Sequence, residues 1–391
     1  MTAPDFSAAH GVLQAEVAAD RLAGVSAATM RHGVLIDEFC TGLADREAGE
    51  ALRPDHIHRA FSNTKLFTTV LVLMLADEGQ FGLDDPLKAW MPAFGQVRVL
   101  RPGATSLDDT EPLARDITIR HLITHQAGLC HGVFDPESLL YKAYHATGVR
   151  GIATTLAEQM DLLAQLPLAS QPGARWEYAL GIDVLARLCE LATGQTFSQA
   201  LQARLFGPLG LVDTGFVLRP DQVPRLAALY KGDLLDVMKP GLERLDATPW
   251  PEAYLKPVPR QSGAGGLFTT QADMLSLLRH LMPGQPSALL KPATLTAMFS
   301  DQLPAASCVQ LPDTGPVHSL GFGLGGALSR RPWRGQPPAV VGELQWGGLA
   351  GTHWFVSPAT GLAGVVMAQR HWGFWHPFWF QYKAQLYQAA G

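Results

Sequence analysis

Ser62 and Lys65 stand three residues apart in the run Ser62-Asn63-Thr64-Lys65. At that spacing on a helix the two side chains share a face. A hydroxyl beside an amine suits nucleophilic catalysis: the amine takes the proton while the oxygen attacks, and a helix N-terminus helps stabilise the developing alkoxide. The same spacing also fits a capping serine followed by a surface lysine. That plainer reading fits poorly, because Leu66, Phe67, Val70, Leu71, Leu73, Met74 and Leu75 make residues 61–79 apolar nearly all round. Tyr178, in GARWEYALGIDVLARL, follows the Pro172-Gly173 turn and precedes a helix. Its hydroxyl can point into a cleft, although an anchoring tyrosine is the plainer reading there. The third candidate is Gln345-Trp346-Gly347-Gly348-Leu349. Adjacent glycines inside a strand mark a place where a ligand or another backbone comes close. An edge strand beside Ser62 can lend a backbone N–H, paired with that of Ser62, to an oxyanion hole; a bulge without function is the alternative.

The elements that must hold these residues can be read around them. Leu22 to Leu43 reads as a hairpin turning at His32-Gly33. Residues 61–79 read as a buried helix stopped by Gly79, so whatever Ser62 does happens next to the core. From Leu83 to Pro257 the pattern is mostly helical, with helices over Ile117–Thr124 and Ile182–Thr193, the latter closed by Gly194. Extended runs return at 321–328, 341–351, 352–358 and 362–370, the last two joined by a hairpin loop at 358–361. A helix over Phe378–Ala390 closes the chain. Strands at both ends imply one central antiparallel sheet built by residues 1–82 and 258–391, flanked by helices. Residues 83–257 read as an inserted, mostly helical domain, with the active site in the cleft between the two.

The 391 residues are 47% hydrophobic and 17% charged, enough apolar material for a large core and too few charges for a disordered chain. Net charge is −5 and no basic run can track a phosphate backbone, which argues against a nucleic-acid partner. Four widely spaced cysteines without a CxxC pair read as free thiols in a reducing compartment. The N-terminus does not read as a signal peptide, and the apolar stretch Val70–Ala76 falls far short of the about 20 residues a membrane span needs. The expectation is a cytoplasmic protein with no membrane partner and an open oligomeric state.

Taken together, S-x-x-K on a buried helix, a tyrosine heading a later helix and a glycine-containing C-terminal strand occur in the order found in class C β-lactamases, D-alanyl-D-alanine peptidases and their esterase relatives. ITIRHLITHQAGL (117–129), ATGQTFSQALQARLFGPLGLVDTGF (192–216) and SGAGGLFTT (262–270) match the same wording. The likeness runs over roughly residues 20–388. Because LQWGGLAGTHWFVS (344–357) carries a Trp-Gly-Gly strand, the chain most resembles the family VIII carboxylesterases. The resemblance implies a β-lactamase-like α/β fold of the α+β type. It makes Ser62 the acylated nucleophile, Lys65 and Tyr178 the general base and proton relay, and the N–H groups of Ser62 and Leu349 the oxyanion hole. It puts Trp346 on the acyl-binding edge, with Gly347 and Gly348 as further substrate contacts, and no cofactor is expected. His353, just after the bend at Gly351, can line the pocket, although a packed, hydrogen-bonded histidine is the plainer reading.

Two departures narrow the chemistry. Penicillin-directed relatives carry Tyr-x-Asn, where this chain has Tyr178-Ala179-Leu180, and Lys-Thr-Gly, where it has Trp346-Gly347-Gly348. Both changes point away from anionic amides and toward uncharged short-chain esters as the small-molecule substrate. Acyl transfer to an alcohol, weak β-lactamase activity and a non-catalytic sensor or binding module are the alternatives. His121 and His125 sit at i, i+4, but HLITH lacks the glutamate of a zinc site, so no metal is expected. His56 and His58 read as surface or loop residues. Trp372–Trp375 can wall a pocket, and neither Ser26 nor Ser262 forms a G-x-S-x-G elbow.

Overall fold

The computed structural model describes residues 4–132, 134–245, 249–250, 252–284, 289–311 and 314–391. Its centre is an eight-stranded sheet of β1 (Gly24–Arg31), β2 (Val34–Asp45), β3 (Glu50–Ala51), β4 (Leu320–Phe322), β5 (Ala327–Ser329), β6 (Leu344–Gly348), β7 (Thr352–Ser357) and β8 (Leu362–Ala368). The strand order is β4-β5-β6-β7-β8-β1-β2-β3. Every neighbouring pair is antiparallel, and β1 against β8 joins the two ends of the chain, from Val25 opposite Ala368 to Arg31 opposite Leu362. His32 (φ +48°) and Gly33 (φ +77°) make the expected tight turn, the paired positive φ values that match strand twist in a two-residue hairpin.

Helices cover both faces, so the inner strands are buried almost without interruption. Strand alternation assigns the sides. Ala27, Phe355 and Val366 pack with α1 (Ser7–Ala18) and the C-terminal helix, whereas Ala28, Trp354 and Val365 share a core with the helix after Ser62. That helix, α2 (Thr64–Asp77), is buried from Thr64 through Leu73, as its all-round apolar pattern requires. One tight turn, Phe61–Asn63, precedes it, so Ser62 lies in the turn and Lys65 in the helix proper. The other helices used below are α3 (Gly181–Thr193), α4 (Gln271–Leu281) and α5 (Phe378–Ala390). Gly194, at φ +67°, ends α3 in the left-handed conformation that glycine adopts without penalty.

Some elements are shorter than their sequence patterns. The helix expected over 117–124 spans Ile119–Ile123, because Thr118 caps it: Thr118 accepts from the His121 N–H and donates its own to His121 Nδ1, both at 3.2 Å. Leu122, Leu185 and Leu188 from the segment after Leu83 join Phe67 and Val365 in one apolar cluster, so helical segment and sheet share a core. His58 is a correction, since it lies in the short strand His58–Arg59, whereas His56 does lie in a loop. Both are buried, His56 accepting from the Arg53 N–H at 2.9 Å, and burial holds the His58 imidazole down at about 3. Among the described residues no helix is long and apolar enough to cross a membrane.

Candidate active site

Ser62 is pinned from two sides. Phe61, immediately before it, has φ +45°, a conformation that costs a non-glycine residue strain and persists only where neighbours enforce it. The neighbours are visible. The Ala60 N–H donates to Leu267 O at 3.0 Å, the Thr352 hydroxyl donates to Ala60 O at 3.4 Å, and β6 passes directly over the turn. A Cβ on Gly348 would collide with the Ala60 carbonyl and approach Phe61 Cβ at 3.3 Å, so the second glycine of the strand admits another backbone. The strand is not the edge strand expected: β5 pairs with it at Leu344 and Gln345, but leaves Trp346–Gly348 unpaired on that side.

Lys65 Nζ lies 3.2 Å from Ser62 Oγ and donates to the Ala264 carbonyl at 2.6 Å. The segment 263–267 runs along α2. Thr68 Oγ1 donates to Gly263 O at 2.7 Å, and the Leu267 N–H donates to Thr64 Oγ1 at 3.1 Å. A Cβ on Gly263 would come within 2.7 Å of Ala186, which explains a glycine there. Asp183, near the start of α3 and 2% exposed, accepts from the Ala264 N–H at 2.9 Å and the Ser262 hydroxyl at 2.8 Å. Asp183 and Ala264 thus position Lys65, a role the sequence signalled only through the small-residue run SGAGG.

Tyr178 brings its hydroxyl to 2.7 Å from Ser62 Oγ, and its ring faces Lys65 Nζ with 4.6 Å to the centroid. His125 brackets it: the Glu177 N–H donates to His125 O at 2.8 Å and the Ala179 N–H to His125 Nδ1 at 3.3 Å. Burial, with Lys65 nearby, holds His125 well below its usual range, so Nδ1 is free to accept. Burial does the same to His131, whose ring stacks on Tyr178 at 4.9 Å. The three groups named from the sequence therefore meet at one oxygen.

They open into a cavity of about 320 Å³ whose lining includes Ser62, Tyr178, Trp346, Gly347, Leu349, Phe374 and Trp375. Leu349 follows β6 and faces the same space as Ser62. Trp346 packs against Tyr178 at 5.4 Å and divides this cavity from a smaller one of about 40 Å³. His353 lines the smaller cavity. Alternation along β7 turns it toward α5, where Trp379 stacks on it at 4.6 Å, and burial drives its imidazole down to about 3. The bend at Gly351 does not carry it round to Ser62.

Comparison with known proteins matches residues 10–374 to the β-lactamase family. The chain belongs to that family. It is 33% identical over 362 residues to esterase EstB of Burkholderia gladioli, covering 89% of this chain and 86% of that one. It is 32% identical over 370 residues to lovastatin esterase of Penicillium rubens, covering 88% of each. Among solved structures, EstCE1, a hydrolase with promiscuous acyltransferase activity, superposes with a TM-score of 0.81 at 27% identity over 97% of both chains. The chain is therefore a serine hydrolase of β-lactamase-like fold, a serine ester hydrolase or acyltransferase, and not a non-catalytic sensor.

Proposed function

We propose that the chain is a carboxylesterase that cleaves short-chain acyl esters through an acyl-enzyme on Ser62. The observation that carries this reading is the meeting of Tyr178 Oη and Lys65 Nζ, 2.7 and 3.2 Å from Ser62 Oγ, at the wall of a largely apolar cavity. Ser62 Oγ attacks the ester carbonyl and its proton passes to the Tyr178–Lys65 pair. The N–H groups of Ser62 and Leu349 receive the oxyanion. As the intermediate collapses, the pair returns the proton to the departing alkoxide. Water then attacks the acyl-enzyme, gives a proton to the same pair, and the acid leaves as Ser62 recovers its hydrogen. Trp346 and Gly347 border the acyl group, and no step calls for a cofactor. The free cysteines support a cytoplasmic setting.

Acyl transfer is the second reading. It is favoured by a further opening of about 580 Å³ that shares His131, Phe134 and Tyr178 with the cavity and offers an alcohol a path to the acyl-enzyme. Leu180 lines the cavity where penicillin-directed relatives carry the asparagine of Tyr-x-Asn, which argues against efficient β-lactam turnover. Hydrolysis of p-nitrophenyl butyrate by wild type and Ser62→Ala tests the proposal. Loss of turnover in the variant is expected, and equal rates would refute the assignment. Added alcohol separates the two readings by whether ester or acid accumulates.

A further inference from the structure

The cavity beside Ser62 also carries two guanidiniums, of Arg150 and Arg260, against the single carboxylate of Asp183. Asp183 is already engaged by donors, from Ser262 Oγ, the Ala264 N–H and, at 3.3 Å, Gln159 Nε2. Among the described residues neither arginine has a carboxylate partner. Arg260 donates to the carbonyls of Val149 and Arg150, and Arg150 Nη1 donates to His131 O at 2.5 Å. Arg260 therefore has a structural duty, holding the 149–150 turn. Arg150 spends one of its five N–H donors on the protein. Asp183 offsets one of the two positive charges, so the cavity keeps a net positive charge that a ligand's carboxylate can neutralise. Burial depresses both guanidiniums, the Asp183 carboxylate partly restores each, and Arg150 depresses Arg260 further. His131 adds no competing charge, since burial keeps it neutral.

We infer that this cavity takes esters bearing a carboxylate, which Arg150 binds with Arg260 as a second positive charge behind it. The inference rests on the Ser62 reading above and deepens it by naming the substrate class. It also revises the expectation of uncharged esters. That expectation looked for positive charge only on the C-terminal strand, where Trp346-Gly347-Gly348 has none. Here the charge comes from residues 150 and 260, far from that strand in sequence. A guanidinium suits the task because its planar fork can grip a carboxylate with two parallel hydrogen bonds.

The carboxylate can belong to the acyl arm or to the alcohol arm, and two substrate pairs separate these. The acyl arm is tested by p-nitrophenyl hydrogen glutarate against p-nitrophenyl valerate, the alcohol arm by 4-acetoxybenzoate against phenyl acetate. The quantity read is kcat/KM for the anionic ester divided by that for its neutral partner. In at least one pair, Arg150→Gln is expected to lower that ratio tenfold or more and Arg150→Lys to lower it less. An unchanged ratio in both pairs overturns the inference. If Arg150→Gln does not fold, the Arg150→Lys ratio decides. If none of the esters is turned over, the Ser62 reading has failed, and thermal shift decides the anion site on its own. Glutarate, and not glutaramide, should then raise the melting temperature of the wild type; equal shifts overturn the inference.

Discussion

Ser62 Oγ receives its two polar contacts from residues of very different sequence separation. Lys65 is one helical turn away and was legible from spacing. Tyr178 is more than a hundred residues away, and only the joint pattern of the three segments connected them. His353 shows where such reading ends. Its place just after the Gly351 bend suggested the site, but strand alternation sends it to the α5 face. Asp183 and Ala264 were signalled only by the run SGAGG, and Arg150 and Arg260 not at all. The contacts that place them, Asp183 with Ala264, Ala264 with Lys65 and Arg260 with Val149 and Arg150, join residues far apart in sequence. At this scale, Tyr178→Phe keeps the ring packing on His131 and Trp346 but removes the hydroxyl. It should lower kcat by about 10²- to 10⁴-fold with little change in melting temperature. A rate within a few-fold of wild type would remove Tyr178 from the proton path.

The elements explain why those atoms stay put. The turn at Phe61–Asn63 is wedged between β6 and the segment 263–267, and that segment is tied to α3 through Asp183. Asp183→Ala takes the acceptor from the Ser262 hydroxyl and leaves the Ala264 N–H only its longer bond to Ser262 Oγ at 3.2 Å, a loss of about 1–3 kcal/mol for an unsatisfied buried donor. Because Ala264 O holds Lys65, the same variant should also lose kcat, whereas Asp183→Asn keeps an acceptor oxygen and should retain more of both. Unfolding and turnover measured on the pair test this. Equal kcat for the two variants would mean that Asp183 serves stability alone. The helices at 61–79, Ile182–Thr193 and Phe378–Ala390 and the β-leaning runs bounded by turn residues were legible, whereas α1 and α4 were not read from the sequence. The turn before α2, and the split of 321–328 around Gly325 (φ +96°), were not, since local backbone geometry sets them.

The whole molecule titrates in a direction that burial dictates. His58 and His353 are held at about 3 and His376 at about 4, with His125 and His131 also lowered. Unfolded, each takes up its proton near 6.5. Below that pH the unfolded chain binds protons that the folded chain refuses, so stability present above 6.5 is lost as pH falls toward the folded values. Asp273, raised to about 6 by burial, and Glu177, also raised by burial, act in the opposite sense as pH falls, but the histidines outnumber them. The melting temperature should therefore drop between pH 6.5 and 5, above the range where ordinary carboxylates titrate. A flat or rising profile across that window would contradict the account.

The central claim is that Ser62 carries the acyl group. The most direct measurement is the mass of peptides from protein treated with a p-nitrophenyl phosphonate. The account predicts one phosphonyl increment on the peptide containing Ser62, and none on Ser62→Ala. An adduct on another residue, or an unmodified Ser62 in an enzyme the reagent has inactivated, would contradict it.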